Sequence, residues 1–166
     1  VESSTDETIH VVEVSSFQLE TTSAFHPWIA VLLNLSADHL DRHASLGDYA
    51  AAKARIFANQ DGRDWAVVNA DDGPAMTLAA RGAKARRRLF AIDTPIEEGA
   101  VLAEGWIVDR AIGRDDVPIV PVSDVQLIGR HLLSDVVAAA AVGRLAGVPA
   151  DAIRTAVSTF GGLEHA

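Results

Sequence analysis

Apolar residues form short runs separated by polar segments, the pattern of buried strands that alternate with helices. The runs predict strands over residues 10–14, 29–35, 65–69 and 88–92. The second run contains a single polar residue, Asn34, which is typical of a strand buried on both faces of a parallel sheet. The alternation therefore predicts an α/β fold with a doubly wound, mostly parallel sheet.

Helical spacing and end signals predict four helices between and after these strands. Ser45 is placed to cap the first helix, and Pro74 lies in the first turn of the second. Glycines follow the last two helices, as is common at helix ends. The helices are predicted over residues 46–59, 71–81, 130–146 and 151–160.

The spacing changes in residues 94–125, where no helical pattern is present. Short β-like segments at 100–103 and 106–109 flank Glu104-Gly105, a pair suited to a tight hairpin. A further segment, 117–122, is interrupted by two prolines and is predicted to be an edge strand. These segments predict a small antiparallel appendage on the parallel sheet.

Composition narrows the class of protein. The chain has 166 residues, of which 49% are apolar and 22% charged, and its formal charge is −9. The absence of cysteine excludes disulfide scaffolds, thiolate metal sites and cysteine nucleophiles. The acidic balance disfavours non-specific nucleic-acid binding, and the sequence has no membrane-spanning run or signal peptide. We expect a cytoplasmic monomer without nucleic-acid or membrane partners and, because the chain begins with Val1 rather than Met, a piece of a longer protein.

Candidate chemistry lies at the ends of the first two predicted strands. Glu13 stands among valines, where a carboxylate is costly to desolvate unless a cation or hydrogen-bond donors meet it. The polar loop Asp38–His43 follows the second strand, and ligands of open parallel sheets bind beyond such strand ends. Aspartate and histidine serve phosphoryl chemistry with a divalent metal. A strand-end glutamate that reaches water, followed by a charged turn without function, would give the same pattern.

Lys53 lies on the apolar stripe of the helix predicted over 46–59. Desolvation lowers the pKa of a lysine and makes the neutral amine accessible. Such a side chain can bind phosphate as a cation or, when neutral, be carbamylated to give a carboxylate-like metal ligand. The alternative is a lysine with a buried stem and a solvated head.

Three segments at short spacing resemble the central ATPase domain of the Mur ligase family. They read Glu13-Val-Ser-Ser-Phe-Gln-Leu-Glu20, Asn34-Leu-Ser-Ala-Asp-His-Leu-Asp-Arg-His43 and Tyr49-Ala-Ala-Ala-Lys-Ala-Arg-Ile-Phe57. The resemblance implies a P-loop NTPase-like central domain over residues 1–160, without the phosphate loop. It also implies that residues 161–166 begin a junction to a C-terminal domain.

The resemblance further implies ATP and Mg²⁺ as cofactors. Members of the family use ATP to convert a substrate carboxylate into an acyl phosphate, which an amine then attacks. Glu13, His39 and carbamylated Lys53 match the residues that hold magnesium, and Asp38 lies beside His39. Lys53, His39 and Asp38 are accordingly the implied catalytic residues.

The segment Ser15–Glu20 is most similar to the family members that join D-glutamate to UDP-N-acetylmuramoyl-L-alanine. The resemblance therefore implies these two compounds as partners in peptidoglycan precursor synthesis. Ser15 and Gln18 match positions on the muramoyl side of the cleft. The alternatives are a sister Mur or folylpolyglutamate-type ligase, or a non-catalytic nucleotide-binding remnant of one.

Near the nucleotide base the family has Gly-x-His-Asn-x-x-Asn, and segment 129–135 of this chain keeps the glycine and His131. The resemblance implies that His131 and Asp135 bind the nucleotide. Leu132 and Asp135 stand where the family has asparagines. An Asp135 carboxylate can accept from an adenine amino group but cannot donate as an amide does. Where the family has His-Arg, the chain ends in His165-Ala166.

Overall fold

The structure is a computed structural model that describes residues 4–5, 7–36 and 45–162. The predicted site residues Asp38 and His39 lie outside the described residues, as do residues 163–166 of the predicted junction.

Six described strands form one mixed sheet whose spatial order follows the chain. The first four strands pair in parallel and the last two pair antiparallel. The α/β class, the mostly parallel sheet and the antiparallel appendage are thereby confirmed. The strands are β1 Ile29–Leu32, β2 Trp65–Asn69, β3 Arg86–Ala91, β4 Gly99–Ala103, β5 Trp106–Arg110 and β6 Val117–Pro121.

Successive side chains of a strand point to opposite faces of the sheet, and on the central strands both sets are apolar. Helices therefore pack on both faces of the sheet. On β2, Ala66 and Val68 pack with helix α3 (Gly73–Gly82), whereas Val67 packs with helices α4 (Arg130–Leu145) and α5 (Ala150–Thr159) on the other face. The helices and the sheet enclose apolar side chains, and the polar residues at the strand ends lie at the edges of this layered structure. The helices are α1 Ser16–Thr21, α2 Leu46–Ala54, α3 Gly73–Gly82, α4 Arg130–Leu145 and α5 Ala150–Thr159.

The predicted helix starts are confirmed by their caps. Ser45 Oγ accepts from the Asp48 amide at 3.1 Å at the start of α2. Asp72 caps α3, which has proline in its first turn. The helix predicted to Asn59 instead ends at Ala54 and continues as a 3₁₀ turn, Arg55–Phe57, in which Phe57 is fully buried.

The strand predicted over 10–14 is absent from the structure, and this prediction is wrong. Val11 is 96% exposed and Val12 is 63% exposed. A strand needs a neighbour for its N–H and C=O groups, and among the described residues β1 is paired only with β2. The described segment folds locally instead, with Ser15 capping the unpredicted helix α1.

The appendage is built as predicted. Glu104 and Gly105 both adopt positive φ, 50° and 79°, which is the geometry of a two-residue hairpin between β4 and β5. β6 with its prolines lies at the sheet edge. Asp109 on β5 pairs with Arg88 on β3 and with Arg144 on α4. This half-buried ion cluster ties the appendage to the parallel sheet and to α4.

None of the described helices has both the length and the apolar character needed to cross a bilayer.

Candidate functional site

The carboxyl ends of β1, β2 and β3 meet at one edge of the sheet, which we call the carboxyl edge. Polar residues follow each strand there: Asn34 after β1, Asn69 at the end of β2, and Asp93 after β3. Ligands of open parallel sheets bind at such an edge. Residues 37–44, with the predicted site residues Asp38 and His39, follow β1 in the sequence and lie outside the described residues.

Lys53 reaches the carboxyl edge from α2. Its Nζ donates to the carbonyl oxygen of Asn34 at 3.4 Å and lies 5.1 Å from the centroid of the buried Tyr49 ring. The side chain therefore has a half-buried stem and a charged head at the strand end. This geometry fits both the solvated-head interpretation and a role in binding an anion or metal.

Glu13, Ser15 and Gln18 lie on the chain that enters and forms α1. Glu13 is exposed. Ser15 and Gln18 form a capping box: the Ser15 hydroxyl and amide donate to Gln18 Oε1 at 3.0 and 2.8 Å. Both side chains thus have a local structural role, and their predicted contact with a substrate stays a prediction.

α1 is held against the end of α2, which carries Lys53. Arg55 Nε donates to the carbonyl oxygen of Leu19 at 2.8 Å, and Arg55 also donates to the carbonyl oxygen of Thr22. The structure therefore joins the elements that carry Ser15, Gln18 and Lys53.

Sequence reasoning missed the residues that connect the strand ends. The Asn69 side-chain Nδ2 donates to Leu33 O at 2.9 Å, and the Asp71 carboxylate accepts from backbone N–H groups beyond β3. Asp72 caps α3 and also accepts from the Leu35 amide at 3.4 Å. The rule that polar residues at the ends of predicted strands mark a site would have found Asn69, whereas Asp71 and Asp72 lie in the segment predicted to begin a helix.

His131 lies at the start of α4, beside the carboxyl edge. Arg130, the first residue of α4, forms an ion pair with Asp93 after β3. Gly129 has φ +121°, and a Cβ there would lie 3.0 Å from Cε1 of the His131 ring. The glycine of the motif is therefore required by its backbone conformation and by the close approach of His131.

Asp135 lies one turn further along α4, at an apolar pocket of about 340 Å³. The pocket is lined by Leu127, Val136, Val157 and Phe160 among others, and Asp135 is the one ionisable residue among its described lining. Asp135 is exposed on its solvent side, but the apolar residues on its other side partly desolvate the carboxyl and raise its pKa, while the nearby His131 acts in the opposite direction. The pocket's size and apolar walls suit a small, largely apolar group.

A second polar cluster lies before β1 and β2, at the opposite edge of the sheet. His26, Asp61 and Asp64 have their ligand atoms within 4.8 Å of one another. Asp61, however, is engaged by Arg63 at 2.8 Å, and Asp64 accepts from His26 at 2.6 Å and from the Asp61 amide at 2.8 Å. These bonds hold the pKa of Asp64 below its usual value, with the backbone bond as the largest cause. The hydrogen bonds and ion pairs of this cluster hold the loop before β2 in place.

A family model described as the Mur ligase middle domain matches residues 2–143. Two curated relatives carry the name UDP-N-acetylmuramoylalanine--D-glutamate ligase. That of Acidobacterium capsulatum is 48% identical over 99% of this chain and 36% of its own length. That of Koribacter versatilis is 43% identical over 96% of this chain and 35% of its own length. The chain thus spans about a third of the length of the curated relatives it matches.

Solved structures show the same fold. A UDP-N-acetylmuramoyl-L-alanyl-D-glutamate--2,6-diaminopimelate ligase matches 91% of this chain and 32% of its own, with a TM-score of 0.68 and 24% identity. A UDP-N-acetylmuramate:L-alanyl-gamma-D-glutamyl-meso-diaminopimelate ligase of Neisseria meningitides matches 84% of this chain and 42% of its own, with a TM-score of 0.64 and 22% identity.

Proposed function

The chain belongs to the Mur ligase family, as a middle domain, and from this premise we propose that it is the central part of an ATP-dependent ligase joining D-glutamate to UDP-N-acetylmuramoyl-L-alanine. The observation that carries the proposal is the 48% identity, across 99% of this chain, to a relative named for that reaction. Because the chain spans about a third of such relatives, we expect turnover from the whole ligase and none from the isolated chain.

The proposed metal ligands are Glu13, His39 and Lys53 as a carbamate, with Asp38 beside His39. Carboxylate oxygens suit Mg²⁺, and carbamylation gives Lys53 the same kind of donor. In that step the neutral amine bonds to the carbon of CO₂ and loses a proton to solvent. When bound, Mg²⁺ would neutralise the repulsion between the γ-phosphate and the substrate carboxylate. Support comes from the Lys53 head, which already reaches the carboxyl edge.

The nucleotide is proposed to bind at the start of α4. The apolar pocket beside Asp135 would take the base, with Leu127 and Phe160 on its walls. The Asp135 carboxyl would accept a hydrogen bond from an amino group of the base. His131 would lie on the side of the nucleotide nearer the carboxyl edge. Ser15 and Gln18 are proposed to line the muramoyl side, in addition to capping α1.

The test is a chimera in which this chain replaces the matching third of the Acidobacterium capsulatum relative. ADP release is followed with Mg-ATP, UDP-N-acetylmuramoyl-L-alanine and either D-glutamate, L-glutamate, L-lysine, meso-diaminopimelate or L-alanine. We expect release that depends on D-glutamate, and none from the isolated chain.

Each other outcome has a distinct meaning. Release that depends on another amino acid would contradict the D-glutamate assignment and favour a sister ligase. A folded chimera that binds Mg-ATP without turnover would favour a non-catalytic nucleotide-binding domain. The unmodified relative, assayed in parallel, controls for the assay.

A further inference from the structure

We propose that Asp71 is a positioning residue of the ligase site: its carboxylate holds the loop after β3 and, through that loop, the first turn of α4 with His131. This role rests on the proposed function in so far as the α4 start binds a nucleotide. Asp71 lies between the half of the carboxyl edge near Lys53 and the half near α4.

The Asp71 carboxylate is surrounded by backbone N–H groups. Its Oδ2 accepts from the Ile92 amide at 2.7 Å, and its Oδ1 accepts from the Thr94 amide at 2.7 Å. The Asp93 amide lies 3.2 and 3.3 Å from the two oxygens. Consecutive N–H groups that converge on an anion form a backbone nest, and bonds to a charged acceptor are about twice as strong as neutral ones. The loop 92–94 is therefore shaped around this side chain.

Asp71 is itself fixed from the opposite side. Its amide donates to Asn69 Oδ1 at 2.9 Å, and Asn69 Nδ2 donates to Leu33 O at 2.9 Å, just beyond β1. The next residue, Asn34, accepts from Lys53. Hydrogen bonds, linked through the backbone between Leu33 and Asn34, thus join the Lys53 side of the edge to the loop after β3.

The last link is the ion pair of Asp93 with Arg130 at the start of α4. The two side chains are 60% and 64% exposed, so the pair contributes little on its own. Its geometry depends on where the loop places Asp93, and Asp71 sets that position. Ile92, whose amide Asp71 also binds, packs against the core cluster that contains Val136 of α4. Replacing Asp71 should therefore disturb the start of α4 more than removing the ion pair alone does.

Asp71 is not suited to be a metal ligand. Three N–H groups of the loop occupy its oxygens, which leaves little capacity to bind a cation. A substitution would therefore act through the loop and through His131.

The decisive variant is Asp71→Asn, with Asp72→Asn as its matched control. In Asp71→Asn one oxygen becomes an NH₂ group, which cannot accept from the loop amides. Asparagine caps a helix as well as aspartate, so Asp72→Asn should keep the cap of α3. A third variant, Asp93→Asn, removes only the exposed ion pair and is expected to fold.

The first readout uses the isolated chain by NMR. Asp71→Asn should raise amide exchange at Ile92 and Thr94 about tenfold or more and shift the His131 ring resonances. Asp72→Asn should change neither the amide exchange at Ile92 and Thr94 nor the His131 resonances. Asp93→Asn should leave the amide exchange unchanged and shift the His131 resonances by less than Asp71→Asn does. Unchanged exchange, or unchanged His131 resonances, in Asp71→Asn would overturn the proposal. Should Asp71→Asn not fold, unchanged His131 resonances in Asp93→Asn would overturn it.

The second readout is the chimera. Asp71→Asn should raise KM for ATP about tenfold, with kcat and KM for D-glutamate changed less than about twofold. Equal losses in all kinetic constants together with a lower Tm would mean a structural role only and would overturn the proposal. A chimera without ATP turnover would refute the proposed function, while the His131 resonances would still decide the positioning role.

Discussion

At the scale of single residues, the carboxyl edge is built by side chains that bind backbone groups. Asn69, Asp71 and Asp72 each bond to a main-chain atom of another strand exit or helix start. Backbone partners are set by the fold, so these side chains are held in place before any ligand binds. Lys53 differs, because its described contacts are one long hydrogen bond and one ring contact. It is the described side chain at this edge best able to change partners.

We predict that Lys53→Ala lowers kcat of the chimera about 100-fold or more, because the variant lacks the proposed carbamate ligand. A short-chain carboxylate such as acetate should restore part of the rate by filling the gap. The matched control is Lys84→Ala, which removes the chain's other, exposed lysine and should leave ADP release unchanged. Near-normal turnover of Lys53→Ala would show that Lys53 has a packing role and does not hold the metal.

Asp135→Asn should raise the Tm of the isolated chain at pH 7 by about 1–2 °C, a size discounted for partial solvent exposure. Burial raises the pKa of Asp135, so the folded state disfavours its ionised form. That destabilisation is absent below the unfolded pKa of about 3.9 and complete above the folded pKa. The gain should therefore disappear near pH 3.5.

Thermal unfolding from pH 3.5 to 8 checks this pH dependence. Asp115→Asn, on an exposed loop, is the control for a general effect of removing one negative charge. A Tm gain that does not depend on pH, or one equal to that of the control, would contradict the role of Asp135 burial.

At the scale of elements, the junction of β3 and β4 requires glycine. Gly99 begins β4 with φ +144°, and a Cβ there would overlap the carbonyl oxygen of Leu89 on β3 and the side chain of Ile96. The backbones of two strands approach each other at this point, which is where the parallel sheet passes into the appendage.

Gly99→Ala is expected to destabilise the fold by about 2–4 kcal/mol, because backbone strain and overpacking act together. The matched control is Gly62→Ala, where no atom lies within 4 Å of the added methyl group. The free energy of unfolding of Gly62→Ala should stay within about 0.5 kcal/mol of that of the unsubstituted chain. Urea unfolding of both variants measures the difference, and equal stabilities would contradict the close approach.

At the scale of the whole molecule, parallel topology assembles the site from distant parts of the chain. Lys53, Asn69, Asp71 and Asp93 follow or flank three successive strands, and Arg130 begins a helix that returns across the other face. The sheet brings all of them to one edge, because parallel strands end on the same side. The antiparallel appendage lies beyond β3 and widens the sheet that α4 covers.

Hydrogen exchange should follow this organisation. Residues 8–13 are exposed and should exchange within seconds, whereas β2, β3 and α4 surround the fully buried core and should exchange most slowly. Strong protection of 10–14 in the isolated chain would contradict the structure.

Local signals in the sequence by themselves determined most elements and several candidate residues. The cap at Ser45, the proline in the first turn of α3, the helical spacing over α4 and the Glu104-Gly105 pair are local features. They act between residues close in the chain, so they could be read without the fold. The family resemblance, carried by three short segments, was likewise evident from the amino-acid sequence, and the family model confirms it.

Tertiary structure alone decided which polar groups meet. Residues 10–14 have the composition of a strand, yet strand pairing is non-local and no described neighbour pairs with them. Asp71 was readable only as the start of a helix, because its partners at 92–94 lie more than twenty residues away. The reason is physical: caps and turns are satisfied within a few residues, whereas ladders, nests and ion pairs require distant segments that only the folded sheet brings together.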